Sequence, residues 1–182
     1  MQLRLKASVE DQRIAHMAAI AIGIHVLESL LPSPLPGIKP GLANIITLVV
    51  FVMYGLSFAA WVSLLRVLVG SLIIGTFLSP TFMLSVSGAI ASLIMLYVVT
   101  RFIKLDISVF GIAILMAIAH MTAQFLTVYV FFIPHLALFD AYPIMMTIAV
   151  CFGAFNGYFA LRVIDKLKGN NASPTSHTKP TT

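Results

Sequence analysis

Between residues 14 and 163 the chain is a succession of long apolar runs, interrupted only by short segments rich in proline, glycine or charge. That pattern leaves little choice of fold. In hydrocarbon every backbone N–H and C=O must find an internal partner, so such runs become helices, and about 20 residues cross the bilayer core. Only 9% of the residues are charged and 60% are hydrophobic, against about 25% charged in a soluble domain. The 182 residues have room for about six spans and for no sizeable soluble domain. The expected fold is therefore all-α, a polytopic membrane bundle with the lipid bilayer as its first partner.

Composition shifts mark the spans. A mixed-charge cytoplasmic arm over residues 1–13 precedes span 1, about 14–31, which stops at Pro32. Span 2, about 42–54, is short for a crossing, as a helix starting inside the bilayer would be. A tight turn over 55–58 leads to span 3, about 59–78, which Ser79-Pro80 breaks. Span 4, about 81–99, carries Ser85, Ser87, Gly88 and Ser92, small residues suited to close helix packing. A loop over 134–143 separates span 5, about 107–133, from span 6, about 144–163. The transmembrane domain is expected over 14–164, and the Asn/Ser/Thr/Pro-rich segment 165–182 as a disordered cytoplasmic tail.

Charge orients the bundle. Arg4, Lys6 and Arg13 precede span 1, Arg101 and Lys104 follow span 4, and Arg162, Lys166 and Lys168 follow span 6. The loops after spans 1, 3 and 5 hold no Lys or Arg except Lys39. The positive-inside rule then places both termini in the cytoplasm. The net charge of +5 reads as membrane topology and not as affinity for nucleic acid. Cys151 stands alone within an apolar run, which excludes an intramolecular disulfide and a cysteine-based metal site. No A-x-A-like cleavage pattern follows the first run, so no cleavable signal peptide is expected.

The segment 35–44, LPGIKPGLAN, is the most unusual stretch. Proline fixes φ and glycine permits positive φ, so it should form an ordered, non-helical turn at the mouth of the bundle. Such backbone at membrane depth must be covered by protein or reached by water, which suggests a gating or binding loop.

Polar residues inside the spans mark where a ligand would touch. Arg66 lies well within span 3, where an unpartnered arginine costs about 2.5–3.5 kcal/mol on insertion scales. It calls for an anion, either Glu28 or a negatively charged ligand, unless it snorkels. Glu28 and His25, three apart, share a face of span 1. The carboxylate could pair with Lys39, bind a cation, hold a proton or sit at a wet helix end. Lys39 is an interfacial charge or a ligand contact. Asn44 would cap span 2 or help its free N–H groups receive an anion. His120 and Gln124, four apart on span 5, could bond a ligand or join helices. Ala15-x-x-x-Ala19 gives span 1 a small-residue face for the close approach of another helix.

Catalytic signatures are missing from the sequence. It has no phosphate loop, nucleophile elbow or metal-ligand spacing, and no DDxxD-type carboxylate cluster to hold magnesium against a diphosphate. No cofactor, no bound metal and no catalytic activity of its own are expected.

Several stretches together resemble one family. They are Pro36-Gly-Ile-Lys-Pro-Gly-Leu-Ala-Asn44, Leu65-Arg-Val-Leu-Val-Gly-Ser71, Gly75-Thr76, Ser79-Pro80-Thr-Phe-Met-Leu-Ser85 and His120-x-x-x-Gln124. The resemblance, over about residues 14–161, is to the membrane family called heptaprenyl diphosphate synthase component I, or the Gx transporter family. That family is similar to the substrate-binding (S) components of energy-coupling factor (ECF) transporters, six-helix proteins of the bacterial cytoplasmic membrane. In those, an alanine-rich face of the first helix docks on a transmembrane coupling subunit, and Ala15 and Ala19 fit that face. The resemblance implies a small-solute binding subunit that depends on a coupling subunit and ATPases. The family's synthase name implies an alternative, an accessory non-catalytic membrane component beside a soluble prenyl synthase. The chain departs from the family pattern in span 5, where Met121 replaces an Asn after the His and Met116 and Ala117 replace small residues before it.

Overall fold

The computed structural model describes residues 8–30, 42–102 and 107–171. Lys39 and most of segment 35–44 lie outside the described residues, as do Lys104 and the chain beyond 171. The described chain forms α1 (Val9–Leu30), α2 (Ala43–Tyr54), α3 (Leu56–Ile74), α4 (Pro80–Phe102), α5 (Val109–Phe131), a 3-10 turn (Leu136–Ala141) and α6 (Tyr142–Asn171). The protein is an all-α bundle. Five helices, α1 and α3 to α6, are long and apolar enough to cross a membrane. Their outward faces carry Trp61, Leu68, Leu72, Ile90, Ile94 and Val130 in the open, side chains that suit lipid and would be a liability in water. Length, composition and surface together make this a multi-pass membrane protein.

The short helix is the central one. At 12 residues, α2 is about 18 Å long, well under the hydrocarbon thickness of about 30 Å. It compensates by burial on all sides: Thr47, Leu48, Val49 and Val50 are consecutive and all buried. A helix with no outward face sits among others, and α2 packs against α1, α3, α5 and α6. The outer helices follow in the order α1, α3, α4, α5, α6, each against the next.

Gly55 alone makes the corner between α2 and α3, where a four-residue turn is expected from sequence. Its φ of 91° suits a residue with no Cβ. Its N–H closes α2 on the Phe51 carbonyl at 2.8 Å, and its own carbonyl accepts the Ala59 N–H of α3 at 3.2 Å. The expected loop over 134–143 contains the 3-10 turn, whose Phe139 packs edge-on against Phe125 and Tyr129 of α5.

α5 and α6 approach most closely through Gly153 and Gly157. A Cβ on Gly153 would lie 2.8 Å from Ile114 Cα and 3.2 Å from the Ala113 carbonyl oxygen. Those atoms are backbone and cannot rotate away. Without a hydrophobic drive between helices in lipid, such small-residue contacts supply van der Waals attraction at short range.

Candidate functional site

The polar residues of the spans converge at one end of the bundle. A cavity of about 180 Å³ opens there. Its walls come from the C-terminal halves of α1 and α3, the N-terminal halves of α2, α4 and α6, and the middle of α5. Glu28, Asn44, Arg66, His120 and Gln124, five of the residues singled out from sequence, all line it. The basic residues Arg13, Arg101, Arg162, Lys166 and Lys168 belong to the opposite helix ends.

Arg66 stands at the middle of α3 and is 5% exposed. One Nη donates to Asn44 Oδ1 at 3.0 Å. Its Nε has no hydrogen-bond partner. Asn44 does not cap α2: Leu42 occupies the cap position without a side-chain bond, and its carbonyl accepts the Ile45 N–H at 3.0 Å. Asn44 is already inside the helix, and its side-chain oxygen is turned to the guanidinium.

Glu28, buried at 3% exposure, takes over part of the capping. Its Oε1 accepts the Leu42 N–H at 3.2 Å. A carboxylate from α1 thereby sits at the positive end of α2, where the helix dipole favours it. Glu28 and Arg66 act on each other electrostatically, but each is held by hydrogen bonds to α2. His25 packs its ring on Gly70 of α3, where a Cβ would meet it at 2.8 Å.

On the α5 wall, His120 Nδ1 lies 3.1 Å from Ser92 Oγ. Ser92 Oγ is also 2.9 Å from the Gly88 carbonyl oxygen and 3.3 Å from that of Met116. A serine hydroxyl has one proton to give. When it goes to a carbonyl, Ser92 accepts from Nδ1–H; when it goes to Nδ1, the imidazole carries its proton on Nε2, beside Gly88. The ring fits against Gly88 so closely that any Cβ there would collide with it. Gln124 Nε2 donates to the Leu84 carbonyl at a long 3.4 Å, joining α5 to α4. Among the described residues no group of three or more His, Cys, Asp or Glu could hold a metal ion.

The cavity also draws on Ser71, Thr76, Thr81 and Ser85, with Val67, Leu84, Met121 and Phe152 as apolar wall. Sequence reasoning passes over most of these hydroxyls because Ser and Thr in an apolar helix usually bond their own backbone. Ser71 does so, donating to the Leu68 carbonyl at 2.8 Å. Ala15 and Ala19 do not line the cavity and are exposed on α1. Gly23, four residues further on, continues their row and has nothing within 4 Å of a would-be Cβ.

The sequence profile of heptaprenyl diphosphate synthase component I matches residues 17–163. The chain belongs to the heptaprenyl diphosphate synthase component I family. No curated protein and no solved structure matches it. In this component I chain the matched stretch contains every residue of the cavity wall. It also includes Ala19, while Ala15 lies just before it.

Proposed function

We propose that this component I protein is the membrane-embedded binding subunit of a small-solute uptake transporter, similar to an ECF S component, for a solute that is anionic or vitamin-like. The observation that carries this reading is the cavity itself. Charged and polar side chains from different helices face one space in a bundle otherwise built of apolar surface, and polar groups inside a membrane are costly enough to be kept for a ligand path. Both termini are cytoplasmic in this reading, by the basic helix ends, so the cavity faces outward. The exposed Ala15–Ala19 row on α1 would receive a transmembrane coupling subunit, with separate ATPases supplying energy.

The family's name favours a second reading, an accessory subunit beside a soluble prenyl synthase. The cavity size weighs against a polyprenyl ligand. An apolar cavity of about 150 Å³ holds one benzene, and a heptaprenyl chain is many times larger.

Affinity purification of the tagged full-length chain from native membranes separates the two. Co-elution of a coupling protein with ATPases, abolished by Ala15→Leu with Ala19→Leu while the protein still folds, supports the transporter. Co-elution of a soluble prenyl synthase, unaffected by that double substitution, overturns it in favour of the accessory role.

A further inference from the structure

The proposed binding role leaves the solute's chemistry open, and the wall of the cavity narrows it. Resting on that role, we infer that the solute is a small monocarboxylate with a compact, ring-sized body, its carboxylate seated on Arg66.

Arg66 is buried, lines the cavity and spends one donor on Asn44, while its Nε–H has no partner. A guanidinium has five N–H donors in a planar fork that matches two oxygens of one oxyanion. Asn44 contributes only a neutral oxygen, no hydrogen bond reaches the Arg66 Nε–H, and a nearby negative charge, that of Glu28, acts on the guanidinium. That negative field makes a dianion such as a phosphate ester a poorer guest than a monoanion.

Shape sets the rest. The volume of about 180 Å³ is slightly more than the cavity of about 150 Å³ that encloses a benzene ring. Val67, Leu84, Met121 and Phe152 offer the ring an apolar wall.

Calorimetric titration of the full chain in nanodiscs with benzoate, benzamide and phenylphosphonate tests the charge requirement. These share one ring and, at a pH well above the second pKa of the phosphonate, differ in carrying a monoanion, a neutral amide and a dianion. Benzoate should bind about ten- to a hundredfold more tightly than benzamide, the range for a charge-assisted hydrogen bond, and more tightly than phenylphosphonate. Arg66→Gln should bring the benzoate-to-benzamide ratio near one. Arg66→Lys, which keeps the charge without the fork, should retain part of it and covers the case in which Arg66→Gln fails to fold. Equal binding of benzamide, tighter binding of phenylphosphonate, or a ratio that survives Arg66→Gln would overturn the inference. Native mass spectrometry separates its failure from that of the binding role. A retained solute lacking a carboxylate defeats the inference alone, whereas no retained solute and no binding of any probe defeats both.

Discussion

Placing a methyl group on Gly88 strikes the tightest fit between a helix and a cavity side chain. The new Cβ would lie 2.5 Å from His120 Nε2, 2.6 Å from Cε1 and 2.8 Å from Cδ2, all well inside contact distance. The imidazole cannot simply retreat, because Nδ1 is 3.1 Å from a Ser92 hydroxyl that two carbonyls also hold. Two responses remain. α4 and α5 can part, at an overpacking cost of about 1–3 kcal/mol. Or the ring can swing into the cavity, giving up a hydrogen bond worth about 1 kcal/mol and filling part of the 180 Å³. Gly88→Ala should therefore lose about 1–3 kcal/mol of stability in a detergent unfolding titration and bind solute more weakly. His120→Ala removes the obstacle. In that background the added methyl should cost nothing, and the better helix propensity of alanine could return up to about 1 kcal/mol. A Gly88→Ala protein as stable as wild type, or one whose loss persists unchanged in the His120→Ala background, would refute this account of the α4–α5 contact.

Two further outcomes follow from the packing and from the charge distribution. Gly153→Ala should destabilise the bundle by about 1–3 kcal/mol, since its Cβ would meet backbone atoms of α5; Gly23→Ala, with open space around it, should cost nothing in the same unfolding assay and could return up to about 1 kcal/mol of helix propensity. For topology, single cysteines in a Cys151→Ser background should react with a membrane-impermeant maleimide in intact cells at Phe77, which is exposed in the α3–α4 connection. A cysteine at Lys168 should react only after permeabilisation, and the reverse pattern would contradict outward orientation of the cavity.

Much of this arrangement was legible in the residues, for definite reasons. The spans are visible because Pro32, Ser79-Pro80 and the charges around Arg101 interrupt runs that would otherwise be continuous. Arg66, Glu28, His120 and Gln124 stand out because hydrocarbon makes each of them expensive, and the structure does bring them to one cavity. The partners are another matter. Spacing within one helix tells which residues share a face but not how helices cross, so nothing in the sequence says that Arg66 meets Asn44, or that Glu28 reaches the N-terminus of α2. The same limit hides the pairing of His120 with Ser92, twenty-eight residues away. Gly153-x-x-x-Gly157 is a different case. It is a small-xxx-small signal of the same kind as Ala15-x-x-x-Ala19, yet one row is buried against α5 and the other is exposed. The motif announces close approach, and only the fold says whether the approaching helix belongs to the same chain. Lys39 lies outside the described residues, so its expected place at the mouth of the bundle rests on the sequence.

The most direct test of a solute-binding role is native mass spectrometry of the full chain gently extracted from its own membrane, beside a Ser85→Phe variant. Ser85 lines the cavity on α4, and a phenyl ring there would occupy much of the space. Wild type should carry a small-molecule adduct that collisional activation releases, and Ser85→Phe, folded to the same degree, should carry none. A wild-type protein with no adduct, or an adduct retained in full by Ser85→Phe, would contradict the claim that this cavity is where the protein holds its solute.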